Sequence, residues 1–181
     1  MQIVVVGSVA LDSIETPWAS AEDCLGGSAM YFSVAASYFA PVKLVAVAGG
    51  DLPPKATSLL KERGVDLEGL EVAEGETFRW GGRYHEDMNR RDTLFTHLNV
   101  FEHFHPKIPQ AYRDADIVFL ANIHPALQLE VLDQVKRPKL VAMDTMNRPG
   151  EVHLAVPRWT RTLKPAVPEP GPPTVPQPLR R

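Results

Sequence analysis

Short runs of β-branched residues alternate with helix-forming stretches along this chain, and this alternation is what most restricts its fold. Residues 2–6 (Gln-Ile-Val-Val-Val) form one such run, which ends at Gly7, and residues 43–48 form another, which ends at Gly49. Runs that are apolar throughout are typical of strands covered on both faces, as in parallel sheets. Strands separated by helices in this order predict βαβ units and therefore an α/β fold built on a parallel sheet.

The stretches between these strands have the composition and the end signals of helices. Residues 28–39 are small or apolar on nearly every face, which predicts a helix that is buried on most sides. Pro53 and Pro54 suit the first turn of a second helix, which continues over residues 55–63 and stops at Gly64.

The same alternation returns later in the chain. Residues 116–121 are predicted to form a strand that ends at Asn122, residues 126–135 a helix, and residues 139–143 a strand followed by Asp144. Open α/β sheets bind their ligands just beyond the carboxyl ends of their strands. The polar residues at these two strand ends are therefore candidates for a binding site.

Asp12 interrupts an extended apolar segment, residues 9–14, that follows the first strand. We expect its carboxylate near the carboxyl end of that strand, at the same edge of the sheet as Asn122 and Asp144. A turn or cap role explains Asp12 equally well when it is considered alone. Convergence of several polar residues at strand ends indicates a site more strongly than any one of them.

A glycine pair, Gly26 and Gly27, stands directly before the helix predicted to begin at Ser28. Glycines lack a Cβ atom, so the backbone is free to adopt positive φ and a ligand can approach it closely. The first amides of a helix also favour hydroxyls or anions. The alternative interpretation is a tight turn that leads into a core helix.

The middle of the chain has a different character. Residues 77–84 and 93–100 are aromatic, alternating and strand-like, and a polar stretch separates them. They predict a hairpin whose one apolar face carries Phe78, Trp80 and Tyr84. Such a face either covers a substrate as a lid or packs on a second copy of the chain as a homodimer contact. A plain extension of the main sheet is the third interpretation.

Composition narrows the class of protein. The chain has 181 residues, of which 44% are hydrophobic and 23% charged, and its net charge of −3 gives no reason to expect nucleic acid or an anionic membrane as a partner. The single cysteine, Cys24, excludes an internal disulfide framework and fits a reducing compartment. No apolar run approaches the roughly 18 residues of a membrane span, and no signal peptide precedes the first strand. We therefore expect a cytoplasmic protein.

The periodic pattern stops beyond Gly150. Residues 151–181 carry about half of the 17 prolines and have neither helical nor strand periodicity. The expected organisation is one domain over residues 1–147 and an extended, mostly disordered tail over residues 148–181.

Four short motifs, in order, resemble the ribokinase-like (PfkB) carbohydrate kinases. Residues 4–12 (Val-Val-Val-Gly-Ser-Val-Ala-Leu-Asp), followed by residues 25–29 (Leu-Gly-Gly-Ser-Ala), resemble the N-terminal signature of that family. Residues 47–51 (Val-Ala-Gly-Gly-Asp) are similar to its Val-Gly-x-Asp turn, and residues 60–66 to its helix that ends in Gly-Val-Asp. The resemblance covers residues 2–147.

This resemblance implies a Rossmann-like α/β sandwich with a parallel sheet and a small β lid, the lid being the hairpin of residues 77–100. It also implies phosphoryl transfer from ATP, with Mg²⁺, to a hydroxyl of a sugar or nucleoside. By the same resemblance Asp12 binds substrate hydroxyls, and Gly26 and Gly27 bring backbone amides against the substrate. Together with Asn122, they are expected to line one polyol-binding cleft.

The chain departs from the family pattern at two places. Met30 and Tyr31 stand where many members have an asparagine, which leaves the preferred sugar open. The second family signature, a Gly-x-Gly-Asp turn that supplies the base and stabilises the transferred phosphate, does not occur after residue 150. We therefore expect a truncated kinase domain that binds the acceptor but lacks the catalytic and ATP-binding half.

Two alternatives from other classes stay open. One is a non-catalytic module for sugar binding or for dimerisation through the lid sheet. The other is a complete small α/β enzyme of a different type, although the sequence has neither a Gly-x-Gly-x-x-Gly fingerprint after its first strand nor a P-loop.

Overall fold

The structure, a computed structural model, describes residues 1–144, which form nine strands and three α-helices. In chain order they are β1 (Ile3–Val6), β2 (Ala10–Glu15), β3 (Ser20–Gly26), α1 (Ser28–Ala36), β4 (Val42–Gly49), α2 (Pro54–Glu62), β5 (Asp66–Ala73), β6 (Phe78–Tyr84), β7 (Arg91–His97), β8 (Ile117–Leu120), α3 (Pro125–Gln134) and β9 (Leu140–Met143). Two short 3-10 helices, Asn99–His103 and Gln110–Tyr112, lie between β7 and β8.

The main sheet has five strands in the order β5-β4-β1-β8-β9, and every neighbouring pair is parallel. Strand β1 lies at its centre, where Ile3 pairs with Val42 on one side and Ile117 on the other. The sequence of β1 is apolar throughout because both faces of this strand are covered. The α/β fold with a parallel sheet that the sequence predicts is confirmed.

Successive residues of the central strand point into two separate cores. Val5 belongs to the core beneath α1 and α2, which also contains Leu44 and Leu60. Val4 and Val6 belong to the opposite core, which α3 and the two 3-10 helices cover. The helices therefore lie on both faces of the sheet, and the carboxyl ends of the strands are left at one edge.

Helix α1 is buried on most sides but is shorter than the sequence predicts. Its buried residues, Ala29, Met30, Ser33 and Ala36, follow helical spacing and form a single packed face. Tyr31 is 62% exposed on the outer side. The prediction of a helix buried on most sides is confirmed for Ser28–Ala36, where Phe32 and Val34 also pack against the core and only Tyr31 and Ala35 are exposed. The helix ends before residues 37–39, which the prediction had included.

The second sheet has four strands in the order β3-β2-β6-β7. Strand β2 pairs with β6 in parallel, while β3 and β7 run antiparallel to their neighbours. The predicted hairpin is present as β6 and β7, and β2 and β3 complete the sheet. Within residues 1–144, none of these strands pairs with the main sheet, so the interpretation as a plain extension of the main sheet is wrong.

Residues 1–144 contain no helix that is both long and apolar enough to cross a membrane. The predicted tail over residues 148–181, like residues 145–147 of the predicted domain, lies outside the described residues.

Candidate functional site

Asp12 lies within β2, on the second sheet, and not at the end of the first strand of the main sheet as the sequence suggested. The extended segment after Gly7 belongs to a different sheet from β1, which the local pattern does not reveal. In β2, Asp12 is paired with Cys24 of β3 and with Trp80 of β6. Paired residues project from the same face of a sheet, so Asp12 stands between Cys24 and Trp80 on one face.

The glycine pair allows the backbone of residues 26–27 to pass close to the carboxylate of Asp12 and to the backbone of residues 8–10. A Cβ atom on Gly26 would overlap the carboxylate of Asp12, whose Oδ1 would be only 2.8 Å away. Gly27 is the N-cap of α1 with φ of 92°, a conformation that favours glycine. A Cβ atom there would collide with the carbonyl of Ser8 and would lie 2.9 Å from the backbone nitrogen of Ala10. No other residue fits either position without displacing its neighbours.

The first backbone amides of α1 have partners within the protein. The N–H of Gly27 donates to the carboxylate of Asp12. The N–H of Ser28 donates to Ser8 Oγ at 3.1 Å, and the N–H of Ala29 donates to the carbonyl of Ser8 at 3.1 Å. The carboxylate of Asp12 therefore stands beside the start of α1, where the helix dipole favours a negative charge.

Burial raises the pKa of Asp12 above its usual value, and the hydrogen bond from Gly27 offsets this only in part. A raised carboxyl pKa means that the ionised form is destabilised in this position. A further donor to the carboxylate, such as a ligand hydroxyl, would stabilise the ionised form and lower the pKa again. The environment of Asp12 is therefore suited to accept an additional hydrogen bond.

Two serines connect Asn122 to the start of α1. Ser28 Oγ lies 3.2 Å from Ser8 Oγ and accepts the backbone N–H of Asn122 at 2.9 Å. Because Asn122 follows β8, this contact joins the carboxyl edge of the main sheet to the segment that contains the glycine pair. Neither serine was predicted as a site residue, since one contact spans 20 residues of sequence and the other 94. The only signal was that each serine directly follows a glycine at an element boundary.

Asp144 follows β9, the neighbour of β8, so it lies at the same edge of the sheet as Asn122. Its N–H donates to the carbonyl of Leu120 at 2.9 Å. The buried Gln128 of α3 donates from Nε2 to the carbonyls of Leu120, Ala121 and Asp144 at 3.1–3.3 Å. Of the predicted site residues, Asp12, Gly26 and Gly27 therefore meet directly, and Asn122 joins them through Ser28.

A cavity of about 370 Å³ lies on the second sheet but does not include Asp12 or the glycines. Its lining includes Ser13, Arg79, Phe95 and His97, which lie on the face of the second sheet opposite to that of Asp12. It is therefore separate from the predicted cleft. Among residues 1–144, no cluster of three or more His, Cys, Asp or Glu side chains is placed to hold a metal ion.

Known proteins resemble this chain in sequence and in structure. No protein-family model matches it. A cytidine kinase of Thermococcus kodakarensis is 28% identical over 138 residues, which are 75% of this chain and 49% of that protein. A nucleoside kinase of Methanocaldococcus jannaschii, an archaeal member of the ribokinase family, has a TM-score of 0.60 at 20% identity, covering 83% of this chain and 52% of its own. The Burkholderia thailandensis nucleoside kinase in complex with inosine has a TM-score of 0.61 at 14% identity, covering 82% and 51%.

The chain spans about half the length of these relatives. At such low identity, the likeness to the solved structures concerns the fold. The parallel five-stranded sheet and the separate second sheet are the parts that the chain shares with them. The fold that the four sequence motifs indicate is therefore confirmed: residues 1–144 have the ribokinase-like α/β fold.

Proposed function

We propose that this chain is the acceptor-binding part of an ATP-dependent kinase that phosphorylates a hydroxyl group of a sugar or nucleoside. The observation that carries the proposal is the convergence of Asp12, Gly26 and Gly27 at the start of α1. The cytidine and nucleoside kinases that share this fold support a nucleoside or a related polyol as the acceptor.

In this proposal Asp12 accepts hydrogen bonds from hydroxyls of the acceptor. An ionised carboxylate has about four lone-pair positions, and Gly27 uses one of them. The amides of Gly27 and Ser28 donate to Asp12 and Ser8, so the main contribution of the glycine pair is space for the ligand beside the carboxylate. Asn122 contributes from the edge of the main sheet, where Ser28 holds its backbone.

The second sheet has the role of a lid. Phe78, Trp80 and Tyr84 alternate along β6 and therefore share the face on which Asp12 stands. All three side chains are partly buried. An acceptor bound to Asp12 would have an apolar cover beside it, which excludes water from the reacting hydroxyl.

Phosphoryl transfer also requires a base near the acceptor hydroxyl and donors near the γ-phosphate. The family supplies both from its Gly-x-Gly-Asp turn, and this sequence has no such turn after residue 150. We therefore propose that the 181 residues by themselves bind the acceptor without transferring phosphate. ATP and Mg²⁺ would be bound by the part of the relatives that this chain does not span.

The test is calorimetry of the full chain with cytidine, inosine and ribose. Asp12→Ala should weaken binding of whichever compound the wild type binds by about 1.5–3 kcal/mol, the range for a hydrogen bond to a charged group. Glu15→Ala is the matched control, since Glu15 is a carboxylate of the same strand that pairs with Arg83 at 2.6 Å. Equal affinities of wild type and Asp12→Ala would remove Asp12 from the site.

Dimerisation through the second sheet is the second candidate function. It is favoured by exposed apolar side chains, namely Leu94 (42%) in β7, Trp18 (71%) between β2 and β3, and Met88 (45%) between β6 and β7. Such side chains commonly mark a surface where another chain packs.

A further inference from the structure

One arginine of the second sheet lies between two carboxylates that belong to different parts of the fold. Arg79 of β6 places Nη2 2.7 Å from Oδ2 of Asp51, which follows β4 of the main sheet. Its other terminal nitrogen, Nη1, contacts Oδ1 of Asp23 in β3. A planar guanidinium can hold two carboxylates at once in fixed directions, which a lysine ammonium does less well.

Asp51 also holds the start of β6. Its Oδ1 accepts the N–H of Thr77 at 2.7 Å and the Thr77 hydroxyl at 2.6 Å. Thr77 is fully buried, and its Oγ1 accepts the N–H of Gly49 at 3.0 Å. Burial would raise the pKa of Asp51, but the hydrogen bonds from Thr77 and Arg79 outweigh this and lower it. Asp51 is therefore a charged anchor on the body of the protein.

Asp23 connects the same arginine to the candidate site. It lies in β3, the strand that ends at Gly26, and it has a left-handed backbone with φ of 49°. The next residue, Cys24, is paired with Asp12. A shift of Asp23 relative to the body would therefore be transmitted along a short paired strand to Gly26 and Asp12.

We propose that Arg79 is a positioning residue that fixes the second sheet over the main sheet and thereby sets the position of Asp12 relative to the start of α1. Its ion pair with Asp51 joins the two sheets directly, and its contact with Asp23 holds the guanidinium in place within the second sheet. Its consequence for ligand affinity rests on the proposed acceptor-binding function, whereas its effect on the relative position of the sheets does not.

A matched control is Arg83, which lies four residues after Arg79 on the same strand, β6. Arg83 makes an ion pair with Glu15 at 2.6 Å, and both residues belong to the second sheet. Arg83→Gln therefore removes the same charge and the same kind of contact from the same strand. It leaves the connection between the two sheets intact.

The experiment measures the distance between a label on each sheet by pulsed electron paramagnetic resonance. The full chain carries Cys24→Ser, with Asn89→Cys in the turn of the second sheet and Lys55→Cys on α2, both exposed positions. Arg79→Gln should broaden or shift the distance distribution, Arg79→Lys should restore it in part, and Arg83→Gln should leave it unchanged. A distribution for Arg79→Gln that matches the unsubstituted protein would overturn the proposal.

A second variant and a second measurement keep the outcomes distinct. Should Arg79→Gln fail to fold, Asp51→Asn decides, because Asp51 is the partner of Arg79 outside the second sheet and an asparagine oxygen can still accept from Thr77 while the ion pair with Arg79 is lost. Calorimetry with cytidine and ribose should show at least a fivefold weaker affinity for Arg79→Gln than for Arg83→Gln. A changed distance with no binding by any variant would sustain the role of Arg79 and count against the acceptor-binding function alone.

Discussion

At the residue scale, two effects on the ionised form of Asp12 oppose each other. The N–H of Gly27 at the start of α1 stabilises this form, yet burial outweighs it and raises the pKa of Asp12 from the ordinary value of 3.8. A carboxyl group whose pKa is higher in the folded than in the unfolded state destabilises the fold at every pH above both values. This cost disappears as the pH falls through the folded pKa towards 3.8. Asp51, whose pKa is lowered, contributes stability that is instead lost as the pH falls below 3.8.

Asp12→Asn should therefore lose ligand affinity without losing stability. An asparagine oxygen can still accept the N–H of Gly27, and the buried charge is removed. We expect the melting temperature of Asp12→Asn at pH 7 to equal or exceed that of the wild type, and the difference to shrink as the pH approaches 3.8. Circular dichroism of both proteins across this range measures it. A clearly lower melting temperature for Asp12→Asn at pH 7 would contradict the expectation that the buried charge of Asp12 destabilises the fold.

The sequence predicts some of these residues and misses others for a physical reason. Asp12 and the glycine pair lie in two short motifs, residues 4–12 and 25–29, and the local geometry of the second needs glycine, so they can be recognised from the sequence. Ser8 and Arg79 act through side-chain contacts to residues that are distant in sequence, and nothing beside them indicates the partner. A single sequence does not show which residues are paired with residues far away in the chain.

Secondary structure elements were predictable where an apolar run or a regular alternation marks them in the sequence. Strands β1, β4 and β8 are apolar runs inside the main sheet, and the sequence identifies them. Strand β3 begins with four exposed residues, Ser-Ala-Glu-Asp, and β5 alternates irregularly between exposed and half-buried residues. Both strands were missed. They are held by hydrogen bonds to neighbouring strands, and their side chains do not show the apolar pattern by which a strand is recognised in a sequence.

At the level of elements, α3 stabilises the end of the main sheet through Gln128. Its Nε2 donates to three backbone carbonyls at the carboxyl ends of β8 and β9. Gln128→Leu removes this donor from a buried position and should lower the free energy of unfolding by about 1–3 kcal/mol, the cost of leaving buried acceptors unsatisfied. Chemical denaturation measures this difference.

The effect of Gln128→Leu should also be local. Amide hydrogen exchange of β9 should increase more than that of β1, because β9 pairs with a single neighbour within residues 1–144. Glu130→Gln, on the exposed side of the same helix, is the control. Unchanged stability and unchanged exchange in β9 would show that Gln128 does not hold the two strand ends together.

At the scale of the whole molecule, the division into two sheets was the part least accessible from sequence. The order of strands and helices follows from periodicity, and so does a hairpin at residues 77–100. The pairing that creates the second sheet joins Asp12 of β2 to Trp80 of β6, and five elements, from β3 to β5, separate these two strands in the sequence. The site therefore depends on a long-range contact between an early strand and the hairpin in the middle of the chain, and a local pattern cannot specify this contact.

Trp80 distinguishes the two candidate uses of this second sheet. As part of a lid, it contacts the acceptor, and Trp80→Glu should weaken binding of cytidine or ribose by up to about tenfold, since an aromatic contact contributes on the order of 0.5–1.5 kcal/mol. Sedimentation velocity should then give the same mass for wild type and variant. Tyr38→Glu is the control, because Tyr38 is 64% exposed on the main body. A wild-type dimer that Trp80→Glu converts to a monomer, with affinity unchanged, would instead establish the sheet as a dimer interface.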